Sequence, residues 1–535
     1  MGNDESKVVL ELNEDDKTCL TFWQKFTYSL GQTAVSLSPA LISSWLIYYY
    51  IGRTDEMHNG LLLVSAIAMS FGGLVPRFLE AIAEPLVGYW SDKFNFKMGR
   101  RIPWIVFGTP LLVLTSILIW WPPDAPTIIP APKVQAAVHD QATADPSANL
   151  EHAASTGAVE SSEPVIPPEA KPPGKVLFHL FSLEITPNFL WLLVIHTVFW
   201  CKYTAVVAPY LSLLPEITPY NNERINTSMF MAYNDVAGSV LGSAGLGVLI
   251  GAFAGGITIF GWRLDNAYKV CGLLIGILFT VCFYVSVSMI RETPYHEAKA
   301  VRFKFIQAFT ETFRNPTFTP YVIASAAIRM STDIILAGMP FMVTRIMLLS
   351  EEYAGYLQGV IILGAAFFFP LVSSKAIKHG KKSVYLFGML LFTIALILLT
   401  MMKHLPILGW PIAAIASLFG FHMSAQWVSF AHCIGCLAIC ALPVAIIFVM
   451  QRPILNDVMD YDEKLTGYRR EAMYNGMEGL ISKPASGIAY FIVPLLLKYL
   501  GDTPDHPWGV LSTPITAAVL MFVGWVGFKF YQIEK

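Results

Sequence analysis

Apolar runs long enough to cross a bilayer recur along this chain, broken by short polar stretches. A spanning helix needs about 20 such residues, and the pattern predicts one at about 26–50, 61–90, 104–121, 187–213, 227–252 and 268–290. Six more are predicted at about 319–347, 354–374, 384–402, 429–451, 472–499 and 511–531. The first ends in Tyr48-Tyr49-Tyr50, an aromatic cluster of the kind that marks a membrane interface. Twelve crossings place both termini on one side.

The breaks carry their own information. Residues 1–25 read as a polar, partly acidic tail and 532–535 as a short polar end. Residues 122–186 are rich in Pro and Ala, hold eight acidic residues from Asp124 to Glu184, and for most of their length lack a helical apolar period. A solvated, largely disordered insertion is expected there, with a short interfacial helix over Val176–Leu183. Residues 291–318 mix five basic residues with Val301, Phe303, Phe305, Ile306 and Phe309, which predicts an amphipathic helix on the membrane surface. That linker separates two halves, 26–290 and 319–531. Within 405–428 the apolar run Ile407–Phe421 has only 15 residues, fewer than the ~17–25 of a span, so a re-entrant or interfacial segment is expected.

Composition fixes the class. The chain has 535 residues, 55% hydrophobic and 14% charged, against roughly 25% charged in soluble domains. An all-α membrane protein is expected, with twelve transmembrane helices in two six-helix bundles. The net charge of −2 gives no reason to expect a nucleic-acid partner. Lys and Arg decide the orientation. Loops 91–103, 214–226, 291–318, 375–383 and 452–471 hold eighteen of them, and loops 51–60, 253–267, 403–428 and 500–510 hold three. The positive-inside rule then puts both termini in the cytoplasm and the insertion outside. Cys433, Cys436 and Cys440 have a ligand-like spacing, but they lie in an apolar run and read as helix packing.

An internal echo supports two bundles. Pro85-Leu-Val precedes Gly99-Arg-Arg after the second span, and Pro370-Leu-Val precedes Gly380-Lys-Lys after the eighth. Six plus six spans around a cytoplasmic linker is the layout of transporters built from parallel repeats.

The candidate chemistry lies inside the membrane. Arg77, Glu80 and Glu84 fall on one face of the second span. Each buried charge costs at least ~2.5 kcal/mol on insertion scales, so the three must face an interior, water or an ion. Two carboxylates against one arginine leave a surplus negative charge, which invites a proton or a metal cation. Lys202 and Asp235 are further charges within the fourth and fifth spans, with Asp235 expected to pair with Lys202 or a basic loop. Arg329 and Asp333 lie four apart on the seventh span and are expected to neutralise each other, with either able to face a cavity. Trp23, Trp45 and Trp200 are candidates for stacking on a sugar. No metal motif at useful spacing, P-loop or nucleophile elbow occurs, so transport is expected rather than enzymatic catalysis.

Gly88-x-x-x-Asp92-Lys-x-x-x-x-x-Gly99-Arg100-Arg101-x-Pro-Trp resembles the loop after the second span in the major facilitator superfamily. Its spacing, with Arg77-x-x-Glu80-x-x-x-Glu84-Pro85, resembles the glycoside–pentoside–hexuronide:cation symporters, the melibiose-carrier family. There Arg, Asp, Asp and Pro stand at this spacing; here both aspartates are glutamates. Asn456-Asp457-x-x-Asp460 through Arg469 resembles that family's loop between the tenth and eleventh spans, and Lys483 falls at its intramembrane lysine.

The resemblance implies a major facilitator fold and cation-coupled symport of a sugar or glycoside by alternating access. It implies a coupling site at Glu80, Glu84, Thr204, Arg77 and Lys483, with either H+ or Na+ as the ion. The longer reach of glutamate favours H+. Lys202, Tyr203, Arg329 and Asp333 are the substrate-cavity candidates. Asp92, Arg100 and Arg101 are expected to pair with Asp457, Asp460 and Arg469 as a cytoplasmic gate in the outward-facing form. No cofactor is implied, and the partners are a small-molecule substrate and the bilayer of a plasma or bacterial inner membrane, with the chain a monomer. Ser36 and Val207 stand where sugar-transporting members carry acids, and Val207 cannot accept a hydroxyl hydrogen bond. The alternatives are a symporter of a lysophospholipid or other amphipathic solute, and an uncoupled uniporter.

Overall fold

The computed structural model describes residues 20–52, 63–93, 98–123, 176–180, 183–218, 221–253, 256–259, 262–264, 266–290, 305–467 and 471–533. Most of the acidic insertion, residues 291–304 of the linker and residues 1–19 of the N-terminal tail lie outside them.

The first half comprises α1 (Phe22–Ile47), α2 (Ala66–Lys93), α3 (Ile102–Leu118), α4 (Pro187–Ile217), α5 (Asn221–Val240) running on into α6 (Leu246–Ala252), and α7 (Ala267–Ser288). A short α8 (Phe305–Arg314) leads to the second half: α9 (Phe318–Phe341), α10 (Glu352–His379), α11 (Lys381–Thr400), α12 (Gly409–Leu418), α13 (Ala425–Thr466), α14 (Glu471–Leu500) and α15 (Trp508–Lys529). Eleven of these helical stretches, taking α5 and α6 as one, are long and apolar enough among the described residues to cross a membrane. The twelfth crossing is α3, whose 17 residues and apolar flank to Trp121 reach the lower end of the spanning range. The protein is an all-α membrane protein of twelve transmembrane helices in two six-helix bundles.

Local sequence signals set the helix ends. Thr21 caps α1 in a reciprocal box with Gln24. Thr186 caps α4, and Pro187 takes the first helical position, where a missing N–H costs nothing. Gly467, at φ 74°, stops α13 in the left-handed conformation that glycine adopts without strain.

The two halves repeat one packing scheme. In the first, α1 packs on α5 and α7, α4 on α2 and α3, and α3 on α7. In the second, α9 packs on α14 and α15, α13 on α10 and α11, and α11 on α15. α1 corresponds to α9, and each ends in a π-helical turn, Tyr48–Gly52 and Met342–Ile346. The halves meet along α2 against α14, along α5–α6 against α10, and where α1 crosses α9.

Three segments differ from the sequence pattern. Instead of a helix over Val176–Leu183, β1 (Phe178–Leu180) and β2 (Leu183–Ile185) form an antiparallel hairpin, with Phe178 opposite Ile185. Eight residues are too few to hold an isolated helix, whereas pairing satisfies the backbone locally. A second hairpin, β3 (Ile257–Ile259) with β4 (Trp262–Leu264), joins α6 to α7. The stretch read as a loop at 452–471 is the last third of α13 as far as Thr466. Ile454, Leu455, Val458 and Met459 are buried along one side of it, so the helix continues beyond the point where hydropathy falls. In the 405–428 segment, α12 has 10 residues and packs against α13.

Candidate functional site

The helical period of α2 aligns Arg77, Glu80 and Glu84, and α4 and α14 close over them. Arg77 Nη1 donates to Glu80 Oε2 at 2.5 Å, with the two side chains only 4% and 1% exposed. Lys483, from α14, places Nζ 3.0 Å from Glu80 Oε1 and 3.1 Å from Glu84 Oε2. It donates to Thr204 Oγ1 at 3.1 Å, and Thr204 donates on to Glu80 Oε1 at 3.1 Å. The structure thus brings Arg77, Glu80, Glu84, Thr204 and Lys483 into one cluster. The surplus negative charge expected from α2 alone is absent, because Lys483 makes two charges of each sign. The Lys483–Glu84 contact is close in charge but not aligned as a hydrogen bond, and Glu84 Oε2 keeps no hydrogen-bond partner among the described residues.

A shell of aromatic groups holds the arginine. The Arg77 guanidinium lies over the Trp200 ring, 3.8 Å from its centroid. Trp200 Nε1 can only donate, and it does so to His196 Nε2 at 2.7 Å. His196 Nδ1 therefore carries the proton and donates to the Gly72 carbonyl at 2.9 Å. Trp200 is thereby committed to Arg77 rather than free to stack on a sugar. Trp45 is buried and donates to the Ser243 carbonyl, and Trp23 is exposed near the start of α1.

Glycines let α2 and α14 approach closely enough for this cluster. A Cβ on Gly73 would strike Tyr490, one on Gly479 the Glu84 carboxylate, and one on Gly487 the Arg77 and Leu74 backbone region. The same antiparallel register would set Gly88 opposite Gly476, yet among the described residues a Cβ on either meets nothing within 4 Å.

α14 also reaches the centre of the molecule. Ser486 accepts from Arg329 Nε of α9 at 2.8 Å, and Tyr490 shares a 2.6 Å hydroxyl contact with Ser43 of α1. Arg329 Nε lies 3.2 Å from Asp333 Oδ2. Although mid-helix, the Arg329 side chain is 43% exposed, so it borders an opening rather than packed core. Tyr203 donates to the Val35 carbonyl at 2.7 Å and so ties α4 to α1. Lys202 is half-buried and makes no hydrogen bond or ion pair among the described residues.

Asp235 pairs elsewhere than expected. Its Oδ1 accepts from Gln32 Nε2 at 2.8 Å and from Ser36 Oγ, both on α1, instead of from Lys202 or a basic loop. α5 thus supplies a carboxylate beside Ser36, where α1 itself lacks one.

Of the residues assigned to a gate, Asp457 is held by Lys381 Nζ at 2.6 and 2.8 Å, a pair within the second half rather than across the halves. Arg100, Arg101 and Asp460 each have a partner. Asp92 belongs to α2, and Arg469 lies outside the described residues.

The opposite face is joined across the halves. Arg345 Nη2 donates to the Gly52 carbonyl at 2.6 Å, and Tyr268 donates to Glu351 at 2.7 Å. Tyr48 and Phe341 meet edge to face, 5.1 Å between centroids. None of these contacts was legible from the sequence, since each depends on register between the halves. Glu478 of α14 was missed as well; it is buried and accepts from Tyr321, Ser325 and Gln451, a satisfied structural carboxylate.

The chain matches the MFS/sugar transport protein family over residues 27–136 and 174–523, and it belongs to that family. It is 20% identical to the sodium-dependent lysophosphatidylcholine symporter 1 of Mus musculus over 99% of this chain and 89% of that one. It is 22% identical to the isoprimeverose transporter of Lactiplantibacillus pentosus over 97% of this chain and 90% of that one. Among solved structures, a bacterial homolog to the human lysosomal transporter Spinster, in an inward-facing and unoccupied conformation, aligns with TM-score 0.54. That alignment covers 96% of this chain and 98% of the other at 11% identity, and it bears on the fold alone. The protein is a multi-pass membrane protein and a secondary transporter of the major facilitator type.

Proposed function

We propose that this family member is a cation-coupled symporter whose ion competes with the Lys483 ammonium for one place. The observation that carries the reading is that three oxygens, from Glu80, Glu84 and Thr204, converge on Lys483 Nζ within 3.0–3.1 Å. A hard cation takes oxygen ligands, so sodium would sit where the ammonium sits and displace it. A proton needs one oxygen, not three, which favours sodium over the H+ expected from side-chain length. The sodium-dependent relatives support the same choice. Displacing Lys483 would free α14, which also bears Ser486 and Tyr490. Ion and substrate would then be linked reciprocally through one helix.

The substrate reading is a sugar or glycoside bound between the halves, with Asp235, Gln32 and Ser36 on one side and Arg329 on the other. A carboxylate and an amide suit vicinal hydroxyls, and the isoprimeverose transporter supports a sugar. A lysophospholipid is the second reading. Relatives named for it match nearly the whole chain, and the half-exposed Arg329 guanidinium suits a phosphate. The basic loops support cytoplasmic termini. The open space beside Gly88 and Gly476 then supports an inward-open form, with the contacts around Arg345 sealing the outside.

The test is uphill transport in proteoliposomes. A thermal-shift screen of sugars, glycosides and lysolipids, with and without sodium and across pH, first selects the substrate. Glu80→Gln and Glu84→Gln should then abolish accumulation against a gradient while leaving exchange down it. If both variants still concentrate substrate as the parent does, the cluster is structural. If accumulation follows pH and ignores sodium, the proton is the ion.

A further inference from the structure

Away from the seam between the halves, α10, α11 and α13 enclose a groove of about 380 Å³, within the roughly 300–1,000 Å³ of ligand sites. Its floor is buried and apolar, formed by Val372, Val384 and Ile446. Leu371 and Phe387 form exposed walls, as they would against lipid chains. The polar lining residues, Lys375, His379 and Ser383, are exposed and gather at the end nearest the turn from α10 to α11. Lys375 and His379 are one helical turn apart on α10, so they share a face. None of the three has a hydrogen-bond or ion-pair partner among the described residues.

This combination has a particular chemistry. The apolar trough lies within the span of the bilayer, where the surrounding solvent is acyl chains. Its basic mouth lies on the face of the termini, where basic side chains meet phosphates of the leaflet surface. A zwitterionic headgroup would also need an acceptor for its cation, and the nearby Asp457 carboxylate is already held by Lys381. We infer that the groove binds one anionic glycerophospholipid, with an acyl chain along Leu371 and Phe387 and the phosphate at Lys375 and His379. Because it grips α10, α11 and α13 together, the lipid would brace the second half. The inference does not depend on the ion or on the transported substrate.

The full chain, purified and delipidated, is titrated with phosphatidylglycerol or with phosphatidylcholine of the same chains, and bound lipid is read by native mass spectrometry beside the thermal midpoint. The parent should retain one phosphatidylglycerol, roughly tenfold tighter than phosphatidylcholine, about 1.4 kcal/mol, and its midpoint should rise with it. Lys375→Gln with His379→Gln should erase the preference. Ser383→Trp, which fills the mouth without altering charge, should lose the adduct, while Lys378→Gln outside the lining should keep it. Equal retention of the two lipids by the parent would overturn the inference. So would phosphatidylglycerol binding unchanged in both the double variant and Ser383→Trp.

Discussion

The two long seams between the halves are built from opposite materials. They occupy corresponding places in the repeat, since α2 corresponds to α10 and α14 to α5–α6. Along α2 and α14, glycines bring the helices together around four buried or half-buried charges. Along α6 and α10, glycines bring backbone against backbone. A Cβ on Gly247 would lie 2.6 Å from the Gly355 Cα, and one on Gly355 2.7 Å from the Ala244 carbonyl. The first seam holds a chemistry that an ion or proton can change. The second holds van der Waals contact, which is made or broken as a whole. One fold can therefore join its halves by charge pairing along one seam and by backbone packing along the other.

The sharpest way to break that contrast is to remove the cation from the charged seam. Lys483→Met leaves Glu80 and Glu84 facing each other with Arg77 alone as counter-charge. Removing one partner of a buried pair costs about 3–5 kcal/mol. The thermal midpoint in detergent should fall well below that of the parent, and sodium should restore more of it than choline does. Adding Glu84→Gln should recover much of the loss, because the two changes share one network. A midpoint unchanged by Lys483→Met would mean that the seam does not depend on its charges.

The apolar seam should respond to volume instead. Gly247→Val or Gly355→Val forces side-chain atoms into a backbone contact, with overpacking costs of roughly 1–3 kcal/mol. The cost falls on the backbone contact between α6 and α10. A cysteine at Ala244 should then become reactive to a bulky maleimide, with sodium having no effect on the stability loss. Protection equal to that of the parent would show that the seam is not closed by this contact.

The same contrast separates what the sequence reveals from what it hides. The charged residues of α2 stand out because carboxylates in an apolar run are costly, and their spacing alone sets their shared face. Lys483 and Thr204 were found through family resemblance; nothing local selects Thr204 among the threonines. The Gly247–Gly355 contact leaves no trace, since glycines are common in spans and only the register between halves makes these two meet. Asp235 was visible as a charge, but its attachment to Gln32 and Ser36 depends on how α5 lies on α1. Hydropathy marked where α13 leaves the apolar layer, not where the helix stops, and Gly467 was the overlooked signal for that.

A smaller effect is expected at the pair that lies in neither seam. Lys381 and Asp457 are partly exposed, 40% and 20%, and such pairs contribute roughly 0.2–1 kcal/mol. Lys381→Ala should shift the thermal midpoint only slightly, and the shift should vanish in high salt. A loss as large as that of Lys483→Met would place a major determinant of stability outside both seams.

The smallest effect should appear only as a dependence on pH, at the face where Arg345 joins the two halves. Asp502 lies in the turn between α14 and α15, near Arg345, which donates to the Gly52 carbonyl. Burial raises its carboxyl above the usual aspartate range, and Arg345 offsets that only in part. An acid raised in this way is most compatible with the fold while protonated. Its contribution is fully present below the unfolded value of about 3.9 and is lost as pH rises through the raised one. Asp502→Asn has no proton to lose. The parent should therefore lose thermal stability relative to the variant as pH climbs from about 4, and the difference should level off once the carboxyl is ionised. If the parent instead gains on the variant with rising pH, attraction to Arg345 outweighs burial. Asp502 would then be half of an ion pair that helps hold Arg345 on Gly52, and this junction between the halves would depend on charge as the α2–α14 seam does.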